Sequence, residues 1–548
     1  MTSIGRVLSR IDGRGYKAYR DLLGASEVVR GLRVRVARVQ GDPFAPPSVA
    51  VVESSVEPPA WARCCPVAVA DYLYRRLYRA LGRRSERLGE GRSGFLGVPR
   101  PGPVMLRRSG VELAPSGRLV ARVWVGLPSR RRRVLADAAG ELLLRRVPAA
   151  VEEALRGLRD PGLRAHVSAW RLQEELRAAL PRLGLVAFVG DGSVLPRRCG
   201  GCEEPLPGAV PFESPPGMRV VVETSEGSVS GMGVPRGATV VAGTAFHGKT
   251  TLLEAVQYGI YNHVPGDGRE RVVSLRSAVK IRAEDGRSVS CVDISTFVHD
   301  VPGGLDTSCF STRDASGATS MAAAIQEAVE AGAELLLVDE DTSATNLLFY
   351  DERARVLIRR KTVTTVSEQA ASMAGKGVSL VVVSSGSVPL IASADRVVVM
   401  EDYRARDATG EARSLAERYR PPQAEYRPPP PRRLSPPRLS KPRLQGTWLT
   451  DRGLEGPLDL GFNEQLVEEG QYRLLVALAA RAWSLAGGRT GREVAERVDR
   501  LLAREGFRGL LGSEPGPGYS EVRGLDYVAV LNRLPGLRAE KAAGSGAG

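Results

Sequence analysis

Lysine is scarce in this chain of 548 residues, occurring only at Lys17, Lys249, Lys280, Lys361, Lys376, Lys441 and Lys541. Arginine therefore supplies nearly all the positive charge behind a formal net charge of +15. Such an excess suits a polyanionic partner, nucleic acid above all. A genome that prefers arginine would leave the same mark; the clustering of the basic residues tips the balance towards nucleic acid. Six cysteines are too few for a disulfide scaffold at this length, so Cys64, Cys65, Cys291 and Cys309 read as small apolar residues. Cys199 and Cys202 make one CxxC without a second pair, and with four histidines in the chain a structural zinc site has thin support. The start, Met1-Thr2-Ser3-Ile4-Gly5-Arg6, lacks an apolar signal core. No apolar run suits a membrane span. Val378 to Met400 comes nearest, but Ser384 to Ser387, Pro389, Asp395 and Arg396 interrupt it, and it reads as two buried strands and a connection. A cytoplasmic location is expected.

What is present is apolar content of 43%, enough for large cores, in a chain long enough for two to four domains. Residues 1–195 read as a basic α+β domain. Arg14 to Leu23 predicts a short helix, Leu32 to Val39 a half-exposed strand with arginines outward, and Val67 to Leu81 an amphipathic helix. A further strand, Arg118 to Val125, runs through a turn into Arg130-Arg131-Arg132-Arg133. These four arginines are the strongest candidate contact with a phosphate backbone; a solvated loop is the plainer reading of a single run. Only Phe95 and Trp124 are near, so base stacking there is unsupported. Val186 to Val189 reads as a strand leading into residues 196–405, where apolar runs alternate with helical stretches as in an α/β domain. Residues 406–446, rich in Pro and Arg, read as an extended linker or arm. Residues 447–535 return to helical periodicity, as in Glu464 to Leu485 and Glu493 to Glu505, and suggest a small helical domain; 536–548 read as a disordered tail.

The chain is organised around Gly243-Thr244-Ala245-Phe246-His247-Gly248-Lys249-Thr250, between an apolar strand, Ala238 to Ala242, and a helix from Thr251 to Val256. Strand, GxxxxGK[ST] and helix in that order make a phosphate-binding loop. Its glycines let backbone N–H groups close on a phosphate at a helix N-terminus. Lys249 would reach the β- and γ-phosphates and the Thr250 hydroxyl would ligate Mg²⁺, with Thr251 completing the nucleotide contacts. A second carboxylate cluster, Asp339-Glu340-Asp341, ends the apolar run Leu335 to Val338. Asp339 would hold Mg²⁺ through water, and Glu340 would position or deprotonate the attacking water. Three acids after a strand also make a favourable helix start. Between the two lies Ser316-Gly317 before a helical run, an anion-binding helix start or an ordinary N-cap.

Taken together, Gly243 to Thr250, Tyr261 to Glu270, Ile281 to Arg287, Ser316 to Ser320 and Asp339 to Asn346, with Gln40 to Ala45 and Leu525 to Arg533 near the two ends, resemble the soluble family of predicted ATPases of the ABC class. The likeness covers nearly the whole chain. It implies an α/β fold, with an ABC-like P-loop core, an N-terminal α+β domain and a small helical C-terminal domain. It further implies a homodimer that binds ATP and Mg²⁺, in which Ser316 and Gly317 of one subunit cap the γ-phosphate held by the other, and RNA binding in some members. Three features depart from the pattern. Thr244-Ala245 offers fewer glycines than family loops often carry. Leu380 to Ser387 has no histidine, which leaves Ser384 or Ser385 as γ-phosphate sensor or none. No glutamine ends the strand at Asp293. His247 is expected to matter through its backbone, whereas His263 and His299 fit structural and functional roles alike.

The expectation is a Mg²⁺-dependent ATPase, a soluble homodimer coupling ATP to nucleic acid, RNA favoured, with Glu340 and Lys249 as catalytic residues. An ATP-gated nucleic-acid switch with little turnover is the alternative. A third, the ATPase of a separate membrane partner, gains nothing from the basic N-terminal region.

Overall fold

Along β2 the side chains alternate, Leu32, Val34 and Val36 buried and Arg33 and Arg38 exposed, as in a strand with one covered face. The strands β1 (Ser26–Val29), β2 (Leu32–Arg38), β3 (Ser48–Ser55), β4 (Leu96–Gly97), β5 (Val111–Leu113) and β6 (Arg118–Val125) form one antiparallel sheet. Its order is β1-β2-β3-β6-β4, with β5 also paired to β6. Helix α1 (Pro66–Gly82) packs on β4 and β5. Val69, Leu73, Leu77 and Leu81 recur every four residues on its buried face, and Pro66 fixes its first turn. Asp71 on that face is buried. Its carboxylate accepts from Arg75, Arg108 and His166, and Arg108 reaches Glu468 at 2.8 Å. Burial would raise the Asp71 pKa; Arg75 and Arg108 overcome it and hold the group far below the usual carboxylate range. Removing one partner of such a pair costs about 3–5 kcal/mol.

This is a computed structural model that describes residues 2–353, 357, 360–419 and 421–542; of the tail expected to be disordered over 536–548, Arg538–Lys541 is instead a strand paired with Arg432–Ser435, and 543–548 lie outside the described residues. Two compact units emerge. The sheet just described belongs to Met1–Trp170, Glu468–Leu474 and Leu501–Glu521; the second unit comprises Arg171–Val467, Leu475–Arg500 and Val522–Gly548. The helical stretch expected as a domain over 447–535 is thus shared between the units, its segments joining one core or the other.

In the second unit, β7 (Leu185–Gly190), β8 (Arg219–Thr224), β9 (Gly227–Pro235) and, after β10 (Ala238–Ala242) and α2 (Lys249–Tyr258), β11 (Val272–Ser274) build an antiparallel sheet in the order β8-β9-β7-β11. Next come β12 (Ala278–Ile281), the hairpin β13 (Val289–Val292) and β14 (Phe310–Thr312), α3 (Gly317–Ala331), β15 (Leu335–Asp339), β16 (Ser379–Ser384), β17 (Arg396–Glu401) and β18 (Arg404–Asp407). A six-stranded sheet runs β12-β15-β16-β10-β17-β18, parallel except for β18. Its inner strands are continuous apolar runs because both faces are covered. The expected strand at Asp293 is β13, outside this parallel sheet.

Several readings are corrected. The helix expected from Arg14 to Leu23 is a 3-10 helix, Tyr16–Leu22. In the Pro/Arg-rich stretch 406–446, Thr409–Tyr419 is helical and Arg432–Ser435 is a strand. Tyr426 is buried and donates to Gln326 Oε1 at 2.7 Å, and buried Arg432 pairs with Glu330 at 2.6 Å. Two side-chain anchors hold what composition reads as a free arm. Cys291 and Cys309 are not simple apolar residues: they form a disulfide where β13 pairs with β14. Cys199 and Cys202 form another, which leaves no thiolate there for zinc. Alkylating the unfolded, unreduced protein is expected to label Cys64 and Cys65 alone, and prior reduction to expose all six thiols by mass spectrometry; labelling of Cys199 or Cys291 without reductant would contradict the pairing.

Candidate functional site

β10 ends at Ala242 and α2 begins at Lys249, so the loop between them is held by a strand and a helix. Gly243 and Gly248 have φ of 146° and 91°, a region L-residues rarely adopt. A carbon added to Gly243 would lie 2.6 Å from the carbonyl oxygen of Met400, so the loop's first position admits no side chain. Lys249 is 8% exposed, and its ammonium donates to the carbonyl of Thr244 at 2.7 Å. Thr250 and Thr251 follow in the first turn, Thr250 exposed. Thr244, Ala245 and Phe246 are exposed and His247 is half-buried.

The acid strand arrives by register. Ala242 of β10 pairs with Ser384 of β16, and Asp339 of β15 with Val383 on the other edge of β16. The strands leading to loop and carboxylate therefore finish at the same end of the sheet, two strand spacings or about 10 Å apart. Asp339 is 3% exposed; its Oδ1 accepts from the N–H of Asp341 at 3.2 Å. Glu340 is turned towards β16, its Oε2 accepting from the Ser385 N–H at 2.8 Å. Ser384 Oγ instead accepts from Gly386 and Ser387 N–H groups, within its own turn.

Charge bookkeeping singles out this site. The other buried Asp, Glu, Lys, Arg and His side chains each face an opposite charge: Arg432 with Glu330, Arg287 with Glu327, Arg533 with Glu284, Arg523 with Asp526, Arg269 and His263 with Asp267, and Lys361 with Glu368 among them. Among the described residues, Lys249 and Asp339 are buried and have no such partner. An unpaired buried charge costs several kcal/mol. A phosphate for Lys249 and a hard cation for Asp339 would meet both needs, and the oxygen donors Thr250 and Asp339 suit Mg²⁺.

Ser316 is the exposed N-cap of α3, its Oγ accepting from the Thr319 N–H at 3.5 Å. A carbon added to Gly317 would meet the Asp285 carboxylate at 3.2 Å, with Ala283 and Ala344 next nearest. Nothing among the described contacts joins Ser316 or Gly317 to the loop of their own chain. In the first unit, Arg130 to Arg133 form the tip of a tight hairpin, Ser129–Arg130 against Arg133–Val134, with Arg131 and Arg132 at φ of 50° and 55°. All four are exposed; Arg132 comes within 3.5 Å of Asp42, and Arg133 donates to the carbonyl of Gly13 at 2.9 Å.

Sequence reasoning missed two neighbours of the loop, Asp402 and Tyr403, and the part that Ser385 plays beside Glu340. Ser385 orients Glu340 through its backbone, which no residue type announces. The Asp402-Tyr403 turn between β17 and β18 lies against the loop, with the Asp402 N–H donating to His247 Nδ1 at 2.8 Å. The His247 ring is thus engaged by that turn. Two strand-like runs separated by Asp402-Tyr403 were the available signal, but sheet order was needed to place it.

Comparison with known proteins gives the family. Residues 1–158 match the family description of the N-terminal region of ATPases of the ABC class, and residues 159–431 match its P-loop domain. The chain belongs to the ABC-class ATPases. It is 31% identical over 246 residues to the uncharacterized protein MJ1628 of Methanocaldococcus jannaschii, an alignment covering 43% of this chain and 54% of that one; the chain spans about half the length of that curated relative. A solved structure of the ADP conformation of MJ1267, an ATP-binding cassette of an ABC transporter, aligns with 36% of this chain and 94% of its own, at 11% identity and a TM-score of 0.23. No helix among the described residues is long and apolar enough to cross a membrane.

Because Lys249 is buried without a counter-charge, Lys249→Met is expected to leave thermal stability without nucleotide unchanged or raised. ATP at about 100 times its Kd should stabilise the wild type by roughly 2.7 kcal/mol and the variant not at all, read by thermal unfolding with and without ATP.

Proposed function

We propose that the chain is a Mg²⁺-dependent ATPase that works as a head-to-tail homodimer and couples ATP to nucleic-acid binding, RNA favoured, in the cytoplasm. The observation that carries this reading is the pair of buried, uncompensated charges, Lys249 and Asp339, at one end of one sheet. The backbone from Gly243 to Gly248 wraps the phosphates and Lys249 binds their β- and γ-oxygens. Thr250 and Asp339 would hold Mg²⁺, which when bound neutralises phosphate charge. Glu340, oriented by Ser385, accepts the proton of the attacking water. Ser316, exposed at the start of α3, is free to cap the γ-phosphate of a second copy. Arg130 to Arg133, exposed on a tight hairpin, suit contact with a phosphate backbone.

Glu340→Gln is expected to lower kcat by about 10²-fold or more while ATP still binds, measured as steady-state phosphate release with and without RNA. A wild type that binds ATP without turnover would make the protein a switch. Replacing Arg130 to Arg133 by alanine should weaken binding of single-stranded RNA and flatten its dependence on salt, the slope falling by about 0.7 for each phosphate the arginines had neutralised; an unchanged slope would leave the hairpin a solvated loop.

A further inference from the structure

A nucleotide brings a base with its phosphates, and a base is held best against a flat ring. The strands that lead into the phosphate loop offer none: from Arg219 to Ala242 there is no Phe, Tyr, Trp or His. Two exposed aromatic residues flank the loop instead. Phe246, within it, is 92% exposed, and Tyr403, in the turn between β17 and β18, is 54% exposed. We propose that the Tyr403 ring is the platform on which the nucleobase stacks, an inference that rests on the nucleotide reading above.

Placement favours Tyr403 over Phe246. A carbon added to Gly248 would lie 3.2 Å from Tyr403 Cδ1, so the ring borders the last glycine of the loop and leaves much of its surface open. The turn carrying it is tied down. The Asp402 N–H donates to His247 Nδ1 at 2.8 Å, and Arg404 reaches Glu213 at 3.4 Å, just before β8. Asp402 and Tyr403 have φ of 47° and 65°. In a two-residue hairpin turn of this kind glycine is favoured at the second position, and a bulky residue there is less stable than glycine would be. Turn formation therefore does not account for tyrosine; an aromatic ring held beside the phosphate loop does. Phe246 has no comparable tether: its side chain projects into solvent from the loop that must close on phosphate.

Stacking without hydrogen bonds to the base edge accepts any base. The selectivity expected is for a base over none, and it is read by comparing ADP with inorganic pyrophosphate, each with Mg²⁺, by calorimetry on the full chain. The ratio of ADP to pyrophosphate affinity should fall about ten-fold in Tyr403→Ala and recover in Tyr403→Phe, which keeps the ring. Phe246→Ala, a change within the loop itself, can shift both affinities together but should leave their ratio near wild type. An unchanged ratio in Tyr403→Ala, or a loss that appears in Phe246→Ala instead, would overturn the assignment while leaving the nucleotide site intact. ADP binding that survives Lys249→Ala would be a separate failure, removing the nucleotide reading and this platform with it.

Discussion

Strand β16 is hydrogen-bonded in register on both sides, to β10 through Ala242 and Ser384 and to β15 through Asp339 and Val383. Its position decides whether loop and carboxylate can serve one ligand. A slip of one residue along β15 would move Asp339 by about 3.3 Å and turn its side chain to the opposite face. Leu335 to Val338 and Leu380 to Val383 resist such a slip, because a shift of either strand would draw Asp339 or Ser384 from the strand's end in among these buried apolar side chains. The chemistry at the sheet's end is therefore set by burial in its middle. β16 contributes again through its turn, where the Ser385 N–H fixes Glu340.

What could be read from the residues alone was what chemistry requires locally. The order of glycines, lysine and threonine after an apolar strand, and an acid closing another apolar run, made the strand–loop–helix at 238–258 and the strand ending at Asp339 legible. The strands at 32–39, 118–125 and 186–189 and the helix at 67–81 were legible by period. Features that depend on which segments meet in space were not. Cys291 and Cys309 are separated by 18 positions, and only the β13–β14 pairing shows that their side chains meet. Tyr426 and Arg432 sit among prolines that suggest an open chain, while their partners Gln326 and Glu330 lie about a hundred residues earlier. Asp402 and Tyr403 reached the loop because β17 is the neighbour of β10, a fact of sheet order.

Buried charge is used in two ways in this chain. In most places it is neutralised where it stands, as with Asp71 between Arg75, Arg108 and His166, or Arg432 on Glu330. Such pairs add little net stability but are costly to break, so they specify which segments belong together. The Arg432–Glu330 pair does this for a stretch that has few apolar anchors of its own.

Lys249 and Asp339 follow the opposite rule: both are buried, and no ion pair joins them. If the ammonium could reach the carboxylate, the two would neutralise each other as the other buried pairs do, and neither would retain affinity for a ligand. β16 lies between the two strands that lead to them, β10 and β15, and the ammonium donates to the Thr244 carbonyl at 2.7 Å. Neither is paired with the other in the free protein. A body that carries both signs, anionic towards the loop and cationic towards the acid strand, satisfies both at once, and a magnesium-bound phosphate chain has that polarity. The stability forgone by keeping two buried charges apart thus becomes affinity for a ligand of that kind, because the unfavourable terms in the free protein are removed only when it binds.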